Sequence, residues 1–181
     1  MGTDLTNSDP TQLTFAELQA KRATALRYLE LVDDPNQPAP TGEYPLALAI
    51  SLCFDGAGED RVADLIALGA DPNLPDPWSN FVMLTTTTSN VALVKRIVDS
   101  GLRLNETYET SRGLGHLTDG IATLLDHAYA VADYLDPTHC VREALANKHG
   151  DGLSGRRRFI YEVIELLEAL GAKKASELAS E

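Results

Sequence analysis

Between Thr14 and Asp33 the apolar positions Phe15, Leu18, Ala25, Leu26, Leu29 and Val32 fall on one side of a 3.6-residue period, which predicts an amphipathic helix. Thr14, with Glu17 three places on, forms a capping box at its start. The Pro- and Gly-bearing run "DPNQPAPTGEYP" then breaks it. Beyond Pro45 a two-helix pattern occurs three times. "PLALAISLCF" reads as a short apolar helix with Pro in its first turn, and "EDRVADLIAL" as its partner, with Val62, Leu65 and Ile66 inward. "NFVMLTTTTSNVALVKRIVDSG" repeats the plan: a helix opened by Asn80, a break at Ser89-Asn90, then a helix with Val94, Ile97 and Val98 inward. The third copy is "TLLDHAYAVADYL", with Thr123 as its N-cap, and "RRFIYEVIELLEALG", with Val163, Leu166 and Leu167 inward.

Each second helix closes on a glycine, in "LIALGADPN", "IVDSGLRLN" and "LLEALGAKK", and Gly69 and Gly101 lie 32 positions apart. Glycine just past a helix supplies a left-handed residue that turns the chain outward. A helix pair this short cannot cover its own apolar face, whereas stacked pairs share a continuous core. The pattern therefore predicts an all-α array.

With these phrases in hand, the chain resembles the ankyrin-repeat family. Such repeats open with a Gly-x-Thr-Pro-Leu-His-x-Ala-like phrase and close with Leu-Leu-x-x-Gly-Ala-Asp-x-Asn. "GEYPLALA" with "RVADLIALGADPN" is a good match, "SNFVMLT" with "ALVKRIVDSGLRLN" a second, and "TLLDHA" with "EVIELLEALGAK" a third in two separated pieces. The resemblance implies an ankyrin-type helical solenoid of three to four helix pairs with inserted loops and an extended hairpin. Residues 1–11 read as a disordered leader and 12–36 as an N-terminal capping helix. Residues 40–181 form the repeat domain, in units 40–73, 74–105 and 106–173, with an insertion over 136–156. The Thr place of the opening phrase holds Tyr44, Asn80 and Thr123, and the His place Ala47, Met83 and Asp126. Asn80 and Thr123 can cap a helix and Tyr44 cannot; a missing cap costs about 1 kcal/mol, against about 1.5–3 for burying a Leu or Ile, so packing dominates.

A formal charge of −12 argues against sequence-independent nucleic-acid binding and suits solubility or a basic protein partner. No apolar run reaches the length of a membrane span, and the polar start lacks a signal-peptide core. Cys53 and Cys140, far apart in helical segments, read as buried thiols of a reducing compartment, which makes a cytoplasmic monomer the expectation.

Catalysis and cofactors find little support in the residues. His116, His127, His139 and His149 lack zinc-site spacing, so no metal is expected, and His127 reads as structural. "GLGHLTDG" is neither a dinucleotide fingerprint nor a P-loop, and no nucleophile elbow is present. The expectation is a non-enzymatic chain without cofactor. A small enzyme with Asp126, Asp133 and His116 in an acidic pocket near the hairpin stands as the rival.

Three segments carry the functional expectation. The connector "LPDPWSN" holds the only Trp; the resemblance implies that such connectors project as tips beside a concave groove, where an exposed Trp78 would anchor a partner. The other reading folds Trp78 back onto the neighbouring turn. The expanded connector over 106–122 suggests a hairpin displaying Tyr108, Arg112 and His116. The insertion holds an extra helix from Pro137 to Gly150, and Arg156-Arg157-Arg158 open the last helix, where cations need carboxylates of the same chain or of an acidic partner. Thr87 and Thr88 fall near the concave face, while Thr85 and Thr86 suit packing. The expected function is a protein-protein interaction module, with a toxin- or enzyme-occluding immunity-type inhibitor as a narrower version. The expected partner-binding residues are Glu43, Tyr44, Asp76, Trp78, Ser79, Thr87, Thr88, Tyr108, Arg112 and His116.

Overall fold

Glycine's freedom at φ > 0 is used at each of the three repeated corners. In the computed structural model, which describes residues 15–53, 57–110, 120–135 and 151–180, Gly69, Gly101 and Gly171 have φ of 89°, 106° and 79°. The Ala70 amide donates to the Leu65 carbonyl at 2.9 Å and Gly69 to Ile66 at 3.0 Å. Ala172 to Leu167 and Gly171 to Glu168 repeat those distances. This is the doubled bond of a Schellman turn, which satisfies helix-end carbonyls.

The described residues are mostly helical: α1 (Phe15–Leu29), α2 (Pro45–Ser51), α3 (Ala57–Ala67), α4 (Pro77–Thr87), α5 (Val91–Asp99), α6 (Leu124–Tyr134), α7 (Asp151–Ala169) and α8 (Ala175–Leu178). A short antiparallel ribbon, β1 (Tyr108–Thr110) with β2 (Gly120–Ala122), pairs Tyr108 with Ala122 and Thr110 with Gly120. The helices form two rows. In one, α2 packs on α4 and α4 on α6; in the other, α3 packs on α5 and α5 on α7. Pairs α2·α3 and α6·α7 join the rows, and α1 lies against α2. Leu46, Ile50, Val62, Leu65, Phe81, Leu84, Val94, Ile97, Leu124, Ile160, Val163 and Leu167 are sealed in the core. Ile66 and Leu166, expected inward, are only half-buried.

Two helix starts differ from the sequence pattern. α4 opens at Pro77 with Asp76 as its N-cap, accepting from the Ser79 amide at 2.7 Å, not at Asn80. Asn80 is 1% exposed and donates through Nδ2 to the Pro72 and Leu74 carbonyls, both at 2.7 Å, so it braces the connector from inside. α7 begins at Asp151, before the arginine triplet and inside the expected insertion; the rest of that insertion and the leader lie outside the described residues. Arg156 instead reaches across to α4, donating from Nη1 to the Thr88 carbonyl at 3.0 Å and from Nη2 to Thr85. A cation there complements a helix C-terminus. Burial lowers the Arg156 pKa, yet a guanidinium starts so high that it stays charged. Arg158 pairs with Glu162 at 3.5 Å. Thr123 caps α6 as expected, in a full capping box with Asp126.

Successive corners are joined by a bond that recurs. Asn36 Nδ2 donates to the Gly69 carbonyl at 3.0 Å while its Oδ1 accepts from the Asp71 amide at 2.7 Å. Asn73 treats Gly101 and Arg103 in the same way at 3.1 and 2.9 Å. Asn105 treats Gly171 and Lys173 so at 3.2 and 2.8 Å. A carboxamide fits because it carries one donor and one acceptor side by side. Asp34 and Asp71 hold the Asn36 and Asn73 amides at 2.9 Å, so "DPN" at 34–36 is the same device as "DPN" at 71–73. Asn73→Ala removes both bonds of the middle bracket and is expected to cost about 1–3 kcal/mol. Urea denaturation checks this as a lower midpoint with an unchanged slope. Asn36→Ala and Asn105→Ala should fall in the same range.

Candidate functional site

Helix α2 is apolar on two faces. Leu46, Ala49 and Ile50 are buried, while Tyr44, Ala47, Leu48 and Ser51, spaced i, i+3, i+4, i+7, point elsewhere. They form one wall of a groove of about 250 Å³ whose other wall is Pro75, Ser79, Asn80 and Met83 from the next connector and α4; Gly42 and Glu43 close its rim. Leu48 and Met83 are half-buried and pack on the core edge. The groove thus lies between one helix and connector and their counterparts in the following unit. At the far ends of the two helices the Thr87 hydroxyl lies 2.9 Å from both the Ile50 carbonyl and the Met83 carbonyl of its own helix.

Of the expected binding residues, Glu43, Tyr44 and Ser79 line this groove. Tyr44 precedes α2 without a side-chain cap bond, as its chemistry requires. Asp76 is half-buried and serves as the N-cap of α4. Thr88 is 3% exposed and bound to Glu59 Oε1 at 2.7 Å, so it ties α4 to α3 and is no part of a docking face. Thr85, buried as expected, and Thr86 donate to carbonyls of their own helix, but Thr86 is exposed and does not pack. Arg112 and His116 lie outside the described residues.

Trp78 is not displayed at a tip. It is 7% exposed and folds inward, its ring 5.4 Å from Tyr108 and 5.3 Å edge-on from His127. His127 is 1% exposed and also meets Phe81 at 6.1 Å. The Thr85 hydroxyl has a single proton, which goes to a helix carbonyl at 3.0 Å. His127 Nε2 lies 3.4 Å from the same hydroxyl. Tyr108 donates to Glu106 Oε2 at 3.1 Å, itself paired with Arg103. Burial first, then the bond to Glu106, push the Tyr108 phenol well above its ordinary pKa; the charge of Glu106 and, more weakly, that of Asp76 add to it, and Arg103 opposes. Tyr108 is a neutral donor that belongs half to the core.

Ala47, Leu48, Ser51 and Met83 line the groove but are not among the binding residues expected from the sequence. Their signal is present, since a seven-residue helix apolar on both faces must meet something on each. For the catalytic alternative, Asp126 is engaged, accepting from the amides of Thr123 and Ala175, both at 2.9 Å. Among the described residues no group of three or more His, Cys, Asp or Glu is placed to hold a metal, and no helix is long and apolar enough to cross a membrane. Cys53 is buried, its Sγ donating to the Ala49 carbonyl at 3.5 Å. In comparisons with protein-family models, curated proteins and solved structures, nothing matches this chain.

Proposed function

We propose that the chain is an ankyrin-type solenoid acting as a non-catalytic protein-interaction module that docks a macromolecular partner along the groove between α2 and α4. The recurring asparagine bracket at successive glycine corners, with helices in two rows, supports the repeat reading. The single observation that carries the functional reading is the groove itself, a concave apolar surface between α2 and α4 rimmed by connector residues. Surfaces of this form take side chains of a partner and exclude water at their centre.

A photo-crosslinking residue placed at Ala47 or Ser79 tests this against one placed at Asp64 or Asp99 on α3 and α5. The expected result is one dominant protein adduct from the first two positions and none from the second two. Adducts of equal yield from all four positions, or from none, overturn the reading.

A further inference from the structure

The charge around the groove specifies its occupant. We infer that it receives a segment of a protein partner that places one bulky aliphatic side chain between α2 and α4 and a lysine or arginine beside it, over Glu43 and Asp76. This inference rests on the docking reading above. At about 250 Å³ the groove is smaller than the roughly 300–1,000 Å³ of small-molecule sites, and its walls of Tyr44, Ala47, Leu48, Pro75 and Met83 suit a side chain, not a polar ligand. Glu43 is the one charged residue lining it. Its carboxylate is exposed and accepts from the Thr41 hydroxyl at 3.2 Å. Asp76, on the adjoining connector, accepts only from the backbone of its own turn. Among the described residues neither carboxylate has a cationic partner. Among the described residues the next connector adds Glu106 and Glu109, and Arg103 beside it is already on Glu106.

An acidic segment would set like charge against this rim, and so would nucleic acid. A second copy of the chain, at −12, would repel the first at long range. A cationic segment is steered toward the rim, and its aliphatic neighbour then displaces water from the apolar walls.

The test uses the whole 181-residue chain, isotope-labelled for heteronuclear NMR, and three capped pentapeptides: Gly-Lys-Leu-Lys-Gly, Gly-Glu-Leu-Glu-Gly and Gly-Lys-Gly-Lys-Gly. With the Lys-Leu-Lys peptide, amide shifts should gather at Tyr44, Ala47, Leu48, Ser79 and Met83 and weaken as salt rises. The other two peptides should bind at least about tenfold more weakly. Glu43→Gln, an exposed substitution that leaves the core intact, should weaken the Lys-Leu-Lys peptide and not the Glu-Leu-Glu peptide. Groove shifts that favour Glu-Leu-Glu, or that ignore salt and Glu43, overturn the proposed chemistry while leaving the groove as a docking site. Silence from all three peptides also overturns it, and joined to failed crosslinking at Ala47 it removes the docking reading as well. Shifts scattered over both helix rows count against the site.

Discussion

Gly58→Ala is expected to cost about 3–5 kcal/mol, a large part of the roughly 5–15 that holds a domain folded. Gly58 sits in the first turn of α3, where alanine is ordinarily the better residue by about 1 kcal/mol. The close approach of α2 reverses that sign. A Cβ at this position would stand 2.1 Å from the Ala49 carbonyl oxygen and 2.7 Å from Cys53 N and Leu52 C. All three are backbone atoms, so no rotamer change relieves the overlap, and the helices must part. The Gly58 amide also donates to the Leu52 carbonyl at 3.0 Å, which fixes the approach. Two other glycines make the contrast. Gly69→Ala meets open space but has φ of 89°, and should cost only about 1–2 kcal/mol. Gly155→Ala, in the exposed part of α7 with open space around it, should be neutral or stabilising by up to about 1 kcal/mol. Chemical denaturation followed by circular dichroism orders the three. A Gly58 variant as mild as the Gly69 variant would show that α2 and α3 do not meet so closely.

Local physics is what made most of the helices legible. The glycine corners announce themselves because only a left-handed residue turns a helix end so sharply, and the core face of α5 follows from Val94, Ile97 and Val98 at helical spacing. Thr123 with Asp126, and Asn90 before Val91, are short-range caps readable in a few residues. Asp76-Pro77 was an equally local start signal for α4, stronger than Asn80, since Pro suits the first helical position and Asp the cap before it. Asn80 looked like a cap because it is polar. Burial instead recruits it to two connector carbonyls.

What was not legible spans many residues. The asparagine brackets join positions such as Asn36 and Gly69 that no periodicity connects, although the repeated "DPN" was a trace of them. The arginine triplet is misplaced only for a helix that starts beside it. With the helix beginning earlier, Arg156 finds the open carbonyls at the end of α4 across the fold. In the candidate site, Glu43, Tyr44 and Ser79 were legible as connector positions. Leu48 and Met83 were not, because a half-buried apolar residue looks the same in sequence whether it faces a groove or a core.

Trp78→Ala should destabilise the chain by about 3–5 kcal/mol, and its effect on any partner should follow from that loss. Trp78 stands in the first turn of α4 yet packs outside its own unit, against Tyr108 of the ribbon at 5.4 Å and His127 of α6 at 5.3 Å. Removing the indole opens a cavity where three elements meet and takes away two ring contacts worth about 0.5–1.5 kcal/mol each. Trp78→Phe keeps an aromatic body there and should cost about 1–2 kcal/mol. As the only Trp in the chain, it reports on itself. Its native emission should be blue-shifted and move to the red in the same denaturant range in which helical signal is lost. The groove walls do not include it, so Trp78→Phe should leave the amide shifts produced by the Lys-Leu-Lys peptide in place. If both variants weakened partner binding alike with the unfolding midpoint unmoved, Trp78 would have to be counted as a contact residue and the aromatic cluster as part of the docking surface.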